Sequence, residues 1–216
     1  MPSSPRTRTS VELDVRTLEA VALYDKFAVE YQAALRRKRP VADLRRFAAM
    51  TTRGDLVLDA GCGPATDLRL LRDAGVHPVG VDLSRAALSE ARMLLPRHPL
   101  VVAPIQQLPF KARSFGGLWL SGSFNHLRRD EWASTFTHLI GLLDRGPVHF
   151  SCILGDRDLG AVEDPTLGRV HRTDATEQQV MDMMASHGLR DLQVSLRPDP
   201  ILERRRPWVV GLGRRV

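Results

Sequence analysis

A chain of 216 residues, 43% hydrophobic and 26% charged, has the make-up of a globular domain large enough to bury a core, and no apolar run nears the ~20 residues that a membrane-spanning helix needs. The first ten residues lack the apolar stretch of a secretory signal and read as a disordered tail, so a reducing cytoplasm without membrane attachment is expected. The net charge of +6 is uneven: residues 1–53 carry +5, residues 54–196 carry −3 and residues 197–216 carry +4. The basic clusters Arg36 to Arg39 and Arg204 to Arg206 could attract nucleic acid or an anionic substrate, but no RNA-binding module accompanies them. Cys62 and Cys152 are too few for a disulfide framework, and no metal-ligand spacing surrounds them, so no metal is expected.

In chain order, residues 11–35 read as helix. Val11, Val15, Leu18 and Ala22 step by four and three residues, and Tyr24, Phe27 and Tyr31 then take over the apolar face. Pro40 ends that region. Val41 to Met50, with Leu44 and Phe47 inward, forms a second short helix. Leu56, Val57 and Leu58 make a buried strand that ends in Gly61 and Gly63, and Asp67 to Ala74 is a helix closed by Gly75. Pro78 to Val81 is a strand ending in Asp82, after which Ser84 caps a helix from Arg85 to about Leu95, stopped by Pro96. Leu100 to Ala103 is the third strand, and the fourth ends at Leu120 and Ser121. Arg129 to Leu143 is an amphipathic helix with Trp132, Phe136, Leu139, Ile140 and Leu143 inward, followed by a strand from Gly146 to Ser151. Leu154 to Arg172 has no clear periodicity and reads as a long loop with at most a short helix, of a length often used for lids or substrate walls. A helix from Thr176 to His187 is capped by Asp174 or Thr176 and closed by Gly188. Asp191 to Leu196 and Pro207 to Leu212 are the last strands.

The strand, glycine turn and helix over residues 55–74 form a ligand cradle. Glycines let backbone approach a ligand, and a helix N-terminus offers free N–H groups. Asp82 ends the second strand, where in a doubly wound sheet a carboxylate can accept both hydroxyls of a ribose. The spacing argues against a dinucleotide: Thr66 stands where the fingerprint wants its last small residue, and Pro64 stiffens the turn.

Val57, Leu58, Asp59, Gly61, Cys62 and Gly63 resemble motif I of the class I S-adenosylmethionine-dependent methyltransferases, with Ala65 in place of its last glycine. Tyr24 to Tyr31 resembles the Y-D-x-x-A-x-x-Y helix of small-molecule methyltransferases, including the quinone-type branch. Leu108 to Phe110, Ser114 with Phe115, and His126 with Leu127 match that family's L-P-F, S-F and H-x-L region in spacing. The resemblance implies a Rossmann-like, doubly wound, seven-stranded, mostly parallel sheet with an antiparallel last strand, helices on both faces and N-terminal capping helices. It implies one domain over residues 11–216, with cap helices at 11–50, a cofactor core at 55–153 and a substrate-side part at 154–216. The implied cofactor is S-adenosylmethionine, with S-adenosylhomocysteine as product.

By the same resemblance Asp82 anchors the ribose, the Gly61–Gly63 turn faces the methionine portion, Asp59 helps to hold its ammonium group, and Ala60, Leu83 and Ser121 are further cofactor-binding residues. Tyr24 or Tyr31 caps the cofactor. Two residues depart from the pattern. The acid that would bind the adenine amino group falls on Pro104, leaving Gln106 or Gln107 as amide acceptors and the N–H of Ile105 for the ring. The acid that helps to fix the fourth strand is Gly116, which puts local order there in question.

Methyl transfer needs alignment above all: orientation can contribute about 7–11 kcal/mol, against roughly 3–5 kcal/mol for a general base. His126 is the candidate base, with the plainer reading of a helix-entry histidine bonded to backbone; His149 and His171 rank behind it. The box that grips an exocyclic amine in base-modifying enzymes is absent after the fourth strand, which argues against DNA adenine methylation. The expected activity is methyl transfer to oxygen, nitrogen or carbon of a small molecule. An RNA methyltransferase using the basic ends, and a cofactor-binding protein without catalysis, are the alternatives.

Overall fold

The computed structural model describes residues 12–35, 41–199 and 206–216. The expected tail at 1–10, Val11, the cluster Arg36 to Arg39, Pro40, Arg204 and Arg205 lie outside the described residues.

The strands are β1 (Leu56–Ala60), β2 (His77–Asp82), β3 (Leu100–Val102), β4 (Gly117–Ser121), β5 (Gly146–Ile153), β6 (Gly160–Asp164), β7 (Gly168–Arg172), β8 (Arg190–Arg197) and β9 (Trp208–Arg215). Seven of them form one sheet in the order β3-β2-β1-β4-β5-β9-β8. Pairs among β1 to β5 are parallel, and β9 runs antiparallel to both of its neighbours. This is the expected doubly wound sheet with a reversed last strand. The order places the carboxyl ends of β1 and β4 side by side at the point where the strand order reverses, the crevice where such sheets bind ligands.

The helices are α1 (Val15–Lys26), α2 (Ala28–Leu35), α3 (Val41–Met50), α4 (Thr66–Asp73), α5 (Arg85–Leu94), α6 (Arg129–Leu142) and α7 (Glu177–Ser186). Strand alternation sorts the side chains between the two faces. Leu118 and Leu120 join Phe136, Leu139, Val180 and Met184 on the side covered by α6 and α7. Val57 and Trp119 join Leu44, Phe47 and Leu71 on the side covered by α3 and α4. Beside these, α4 and α5 meet through Leu68, Leu88 and Ala91. Thr176, one of the two proposed caps, starts α7 with a capping box closed by Gln179.

The structure corrects three expectations. The single helix over 11–35 is two, broken at Phe27, whose backbone leaves the helical region at φ −113° and ψ 27°. The inward stripe of α1 is also different: Val15 and Leu18 are 65% and 48% exposed, and Ala22 is exposed, whereas Thr17 and Ala20 are buried. Beneath this small face lie the valines of a short hairpin and the turn after β4, to which Thr17 donates a hydrogen bond. The loop over 154–172 contains a hairpin, β6 paired antiparallel with β7. Its Val162 and Val170 pack on Ala20 and Leu23 of α1.

The doubt raised by Gly116 is answered by Asp55. A Cβ on Gly116 would stand 2.4–2.6 Å from the Asp55 side chain, which already fills that space. The Gly116 N–H donates to the Leu56 carbonyl at 2.8 Å, and β4 pairs in parallel with both β1 and β5.

Candidate active site

The glycine turn after β1 is fixed from β2. Gly61 and Cys62 N–H both donate to the Val81 carbonyl, at 2.8 and 2.9 Å. Gly61, Gly63 and Ala65 all have left-handed backbones, at φ +83°, +51° and +63°. The two glycines are required for different reasons. A Cβ on Gly61 would meet the Cβ of Ser123 at 2.4 Å, whereas a Cβ on Gly63 would meet nothing within 4 Å. Gly61 therefore lets the turn close on the segment after β4, and Gly63 leaves backbone open beside the crevice. Ala65, in place of the pattern's last glycine, tolerates the left-handed region at a cost of about 1–2 kcal/mol.

Asp82 braces this turn. Its Oδ2 accepts the Gly63 N–H at 2.7 Å, and its Oδ1 accepts the Ser84 N–H at 2.9 Å. A carboxylate has roughly four lone-pair sites, so acceptor capacity remains on the side facing the crevice. Burial pushes the Asp82 carboxyl up, against the pull of the N–H groups of Ser84, Gly63 and Leu83. Asp67, in the first turn of α4, accepts the indole N–H of Trp119 at 3.0 Å and so pins α4 to β4.

The roof is α1. Asp25 accepts the Ser84 hydroxyl at 2.6 Å and the Ala86 N–H at 3.0 Å, tying α1 to the start of α5. Thr17 donates to the His126 carbonyl at 2.7 Å. Tyr24 and His126 close the roof from opposite sides: Oη and Nε2 are 2.9 Å apart, and the rings meet edge to face. Tyr31 packs edge-on against Tyr24, with centroids 4.8 Å apart.

One cavity collects most of the residues singled out in the sequence. Asp59, Gly61, Gly63, Asp82 and Leu83 line its β1–β2 side. Ile105, Gln106 and Ser121 line it beyond β3 and β4, and Tyr24, Tyr31 and His126 lie on the roof side. Two others are not brought there. Ala60 is fully buried in the core under the sheet. Gln107 closes a turn on the Pro104 carbonyl at 3.1 Å and is not on the cavity wall.

Pro104 lines the cavity where an adenine-binding acid was expected. Gln106 remains as the amide on that wall. Its Nε2 donates to Glu131 at 3.3 Å, so the carbonyl end of the amide is free to point elsewhere. The wall thus keeps an acceptor for an exocyclic amine but not an anionic one. The glycine turn and Asp82 fit an adenosyl ligand, and the adenine end fits it less strongly.

His126 is a hydrogen-bond partner of a phenol, not a helix-entry histidine held by backbone alone. Burial, then the charge of Arg172, lowers its pKa to about 4, so the ring is neutral near pH 7 and a weak base. Burial also raises the Tyr24 phenol well above its ordinary value. Neither group carries charge at neutral pH. His149 is buried and stacks on Trp119 at 3.7 Å, away from the cavity wall, and His171 faces Glu19 at 3.5 Å on the hairpin.

Sequence reasoning did not single out Thr17, Asn125, Arg172 or Trp208, all on the wall. Asn125 and Thr173 exchange backbone and side-chain hydrogen bonds that fasten the hairpin to the turn after β4. The one available signal for Arg172 was its period-two spacing from Val170, which carries little weight in so short a strand. Among the described residues no cluster of His, Cys, Asp or Glu is placed to hold a metal ion, and no helix is long and apolar enough to cross a membrane.

Residues 57–146 match the family model described as a methyltransferase domain. Over 98 residues the chain is 34% identical to the malonyl-[acyl-carrier protein] O-methyltransferase of Pseudescherichia vulneris, covering 45% of this chain and 39% of that protein. The chain thus spans about two fifths of the length of that curated relative. Its fold matches the 1,6-didemethyltoxoflavin-N1-methyltransferase of Burkholderia thailandensis, crystallised with 1,6-didemethyltoxoflavin and S-adenosylhomocysteine, at a TM-score of 0.63 and 20% identity over 100% of this chain and 98% of the other. It also matches the [4+2]-cyclase SpnF, at a TM-score of 0.68 and 14% identity over 96% of this chain and 99% of that one.

Proposed function

We propose, from the premise that this chain carries a class I S-adenosylmethionine-dependent methyltransferase domain, that it transfers a methyl group to a small-molecule acceptor. The observation that carries the proposal is Asp82, which holds the glycine turn through Gly63 and still faces the cavity. Two of the proteins the chain resembles are named for methylation of malonyl-[acyl-carrier protein] and of 1,6-didemethyltoxoflavin, which favours an acceptor from small-molecule metabolism. Residues 11–216 are taken as the working unit, and two free, buried thiols suit a reducing cytoplasm.

When bound, S-adenosylmethionine would supply a sulfonium-activated methyl for an acceptor lone pair, with the C–S electron pair retained by S-adenosylhomocysteine as product. The chain's own contribution is to bind and align. Asp82 takes the ribose hydroxyls on its remaining lone pairs, and Asp59 and the Gly61–Gly63 turn meet the methionine portion. Leu83, Ile105 and Gln106 flank the adenine. Tyr24, Tyr31 and α1 cover the reacting groups and exclude water, the larger share of catalysis in a displacement driven by its donor. His126, neutral and weakly basic, orients Tyr24 and takes a proton only from an acidic acceptor.

Titration calorimetry with S-adenosylhomocysteine tests the reading: the wild type binds, and Asp82→Ala lowers affinity about tenfold or more, the effect of removing charge-assisted hydrogen bonds. Unchanged affinity in Asp82→Ala would sink it. Pro104 favours a second reading, a cofactor-binding protein that does not transfer methyl. The SpnF match illustrates that this fold has more than one named use. Binding without turnover across an acceptor screen would select that reading. Salt-dependent RNA binding would select an RNA substrate instead.

A further inference from the structure

The cavity wall includes Arg172, which is ion-paired with Asp164 behind it. Arg172 ends β7 with its side chain 6% exposed, and it donates through Nη2 to Asp164, whose side chain is 1% exposed. Asp164 is itself built in at the other oxygen, which accepts the N–H groups of Thr166 at 2.9 Å and Leu167 at 3.1 Å and so closes the hairpin. The hairpin turn therefore needs Asp164 but has no need of Arg172. Taking a guanidinium out of water costs several kcal/mol, which one hydrogen-bonded carboxylate offsets only in part. Asp164 is the hydrogen-bond partner of Arg172 among the described residues, and the Arg172 side chain lines the cavity.

The charge of that guanidinium is felt by the Tyr24 phenol and the His126 imidazole, which share the cavity wall with it, and by the Asp174 carboxylate, which is itself paired with Arg157. Neither Tyr24 nor His126 carries a negative charge near pH 7. The uncharged groups can donate or share hydrogen bonds, and the guanidinium offers a planar fork of donors suited to two oxygens at once. A neutral, apolar acceptor would press against a guanidinium on the cavity wall without answering its charge, at a cost that an oxyanion removes.

We propose that the methyl acceptor bears an ionised carboxylate or phosphate group, and that Arg172, assisted by the Tyr24 and Tyr31 hydroxyls, anchors that group in the roof of the cavity. This rests on the reading of the cavity as a methyl-transfer site, and it assigns Arg172 to recognition of the acceptor. Asp164 is a positioning residue that fixes the guanidinium from behind.

The test uses three probes of similar shape: benzoate, phenyl phosphate and benzyl alcohol. Each is titrated calorimetrically into the whole chain at pH 7, with and without saturating S-adenosylhomocysteine. The expected result is that at least one anion binds about tenfold or more tightly than the alcohol, the effect of a charge-assisted hydrogen bond. Benzoate ahead of phenyl phosphate identifies a carboxylate acceptor, and the reverse order identifies a phosphate ester; either supports the proposal. Asp164→Asn with Arg172→Gln removes both charges while an amide oxygen still closes the turn, and it should abolish the preference for anions while leaving S-adenosylhomocysteine affinity within about twofold. Failure of both anions to outbind the alcohol in the wild type overturns the proposal, whatever the fate of the variant. So does an undiminished anion preference in the double variant. A chain that prefers anions but does not bind S-adenosylhomocysteine would sink methyl transfer and leave the oxyanion site standing.

Discussion

The two glycines of the turn after β1 make the sharpest contrast at the level of single residues. Gly63→Ala adds a methyl in open space and asks an alanine to hold φ +51°, which costs about 1 kcal/mol. Gly61→Ala pays the same backbone penalty and also drives a methyl into Ser123, so it should cost about 3 kcal/mol or more. Urea unfolding midpoints of the two variants would check the order. His126 carries a pH signature. Its folded pKa of about 4 lies below the ordinary value of 6.5, so between those limits the unfolded chain binds the extra proton. The stability it allows is fully present above pH 6.5 and is lost as pH falls toward 4, by up to about 3 kcal/mol. His126→Gln keeps a partner for Tyr24 and should flatten that part of the profile, read as the change in urea midpoint between pH 7 and pH 4.5. Residues whose chemistry is set by neighbours in sequence were legible: Gly61, Gly63 and Asp82 follow from a strand, a turn and the next strand. Arg172 was not, because its partners are Asp164 across a hairpin and Tyr24 on a distant helix.

At the scale of elements, the hairpin of β6 and β7 explains both what the sequence conveyed and what it withheld. Each strand has one inward valine, Val162 or Val170, and the apolar surface that covers them comes from Ala20 and Leu23 of α1. With the partner some 140 residues away, no local periodicity marks either strand. The same pairing misled the reading of α1, whose inward face is small because it rests on this hairpin and on the turn after β4. By contrast, α6 displayed its stripe plainly, since Trp132, Phe136, Leu139 and Ile140 pack on a flat apolar sheet. The hairpin is held at its base by Thr173, whose hydroxyl accepts the Leu159 N–H at 3.0 Å and donates to the Leu127 carbonyl. Thr173→Val fills the same volume but strands a buried N–H and a carbonyl, at about 2 kcal/mol. Hydrogen exchange should then speed up in residues 159–172 more than in β1, β4 and β5. A uniform increase would mean that the hairpin unfolds only with the sheet.

Across the whole molecule, the alternation of strands and helices pointed to parallel neighbours joined by amphipathic crossover helices, and the reversed last strand followed from the family resemblance. What alternation could not give is the roof, which is assembled from α1, the turn after β4 and the end of β7. The cavity therefore depends on contacts from both halves of the chain: Asp25 with Ser84, Tyr24 with His126, and Arg172 beneath them. A ligand that fits it must stabilise the folded chain as a unit. At a free concentration about a hundredfold above its dissociation constant, S-adenosylhomocysteine should add about 2.7 kcal/mol. For a chain of this length each kcal/mol raises the midpoint by roughly 2–4 °C, so the shift should be about 5–11 °C. Asp82→Ala, measured at the same ligand concentration, should lose about half of that shift, since a tenfold weaker ligand at tenfold excess contributes about 1.4 kcal/mol. A full shift in Asp82→Ala would separate the ligand from the glycine turn, and the cavity would have to hold it by the roof alone.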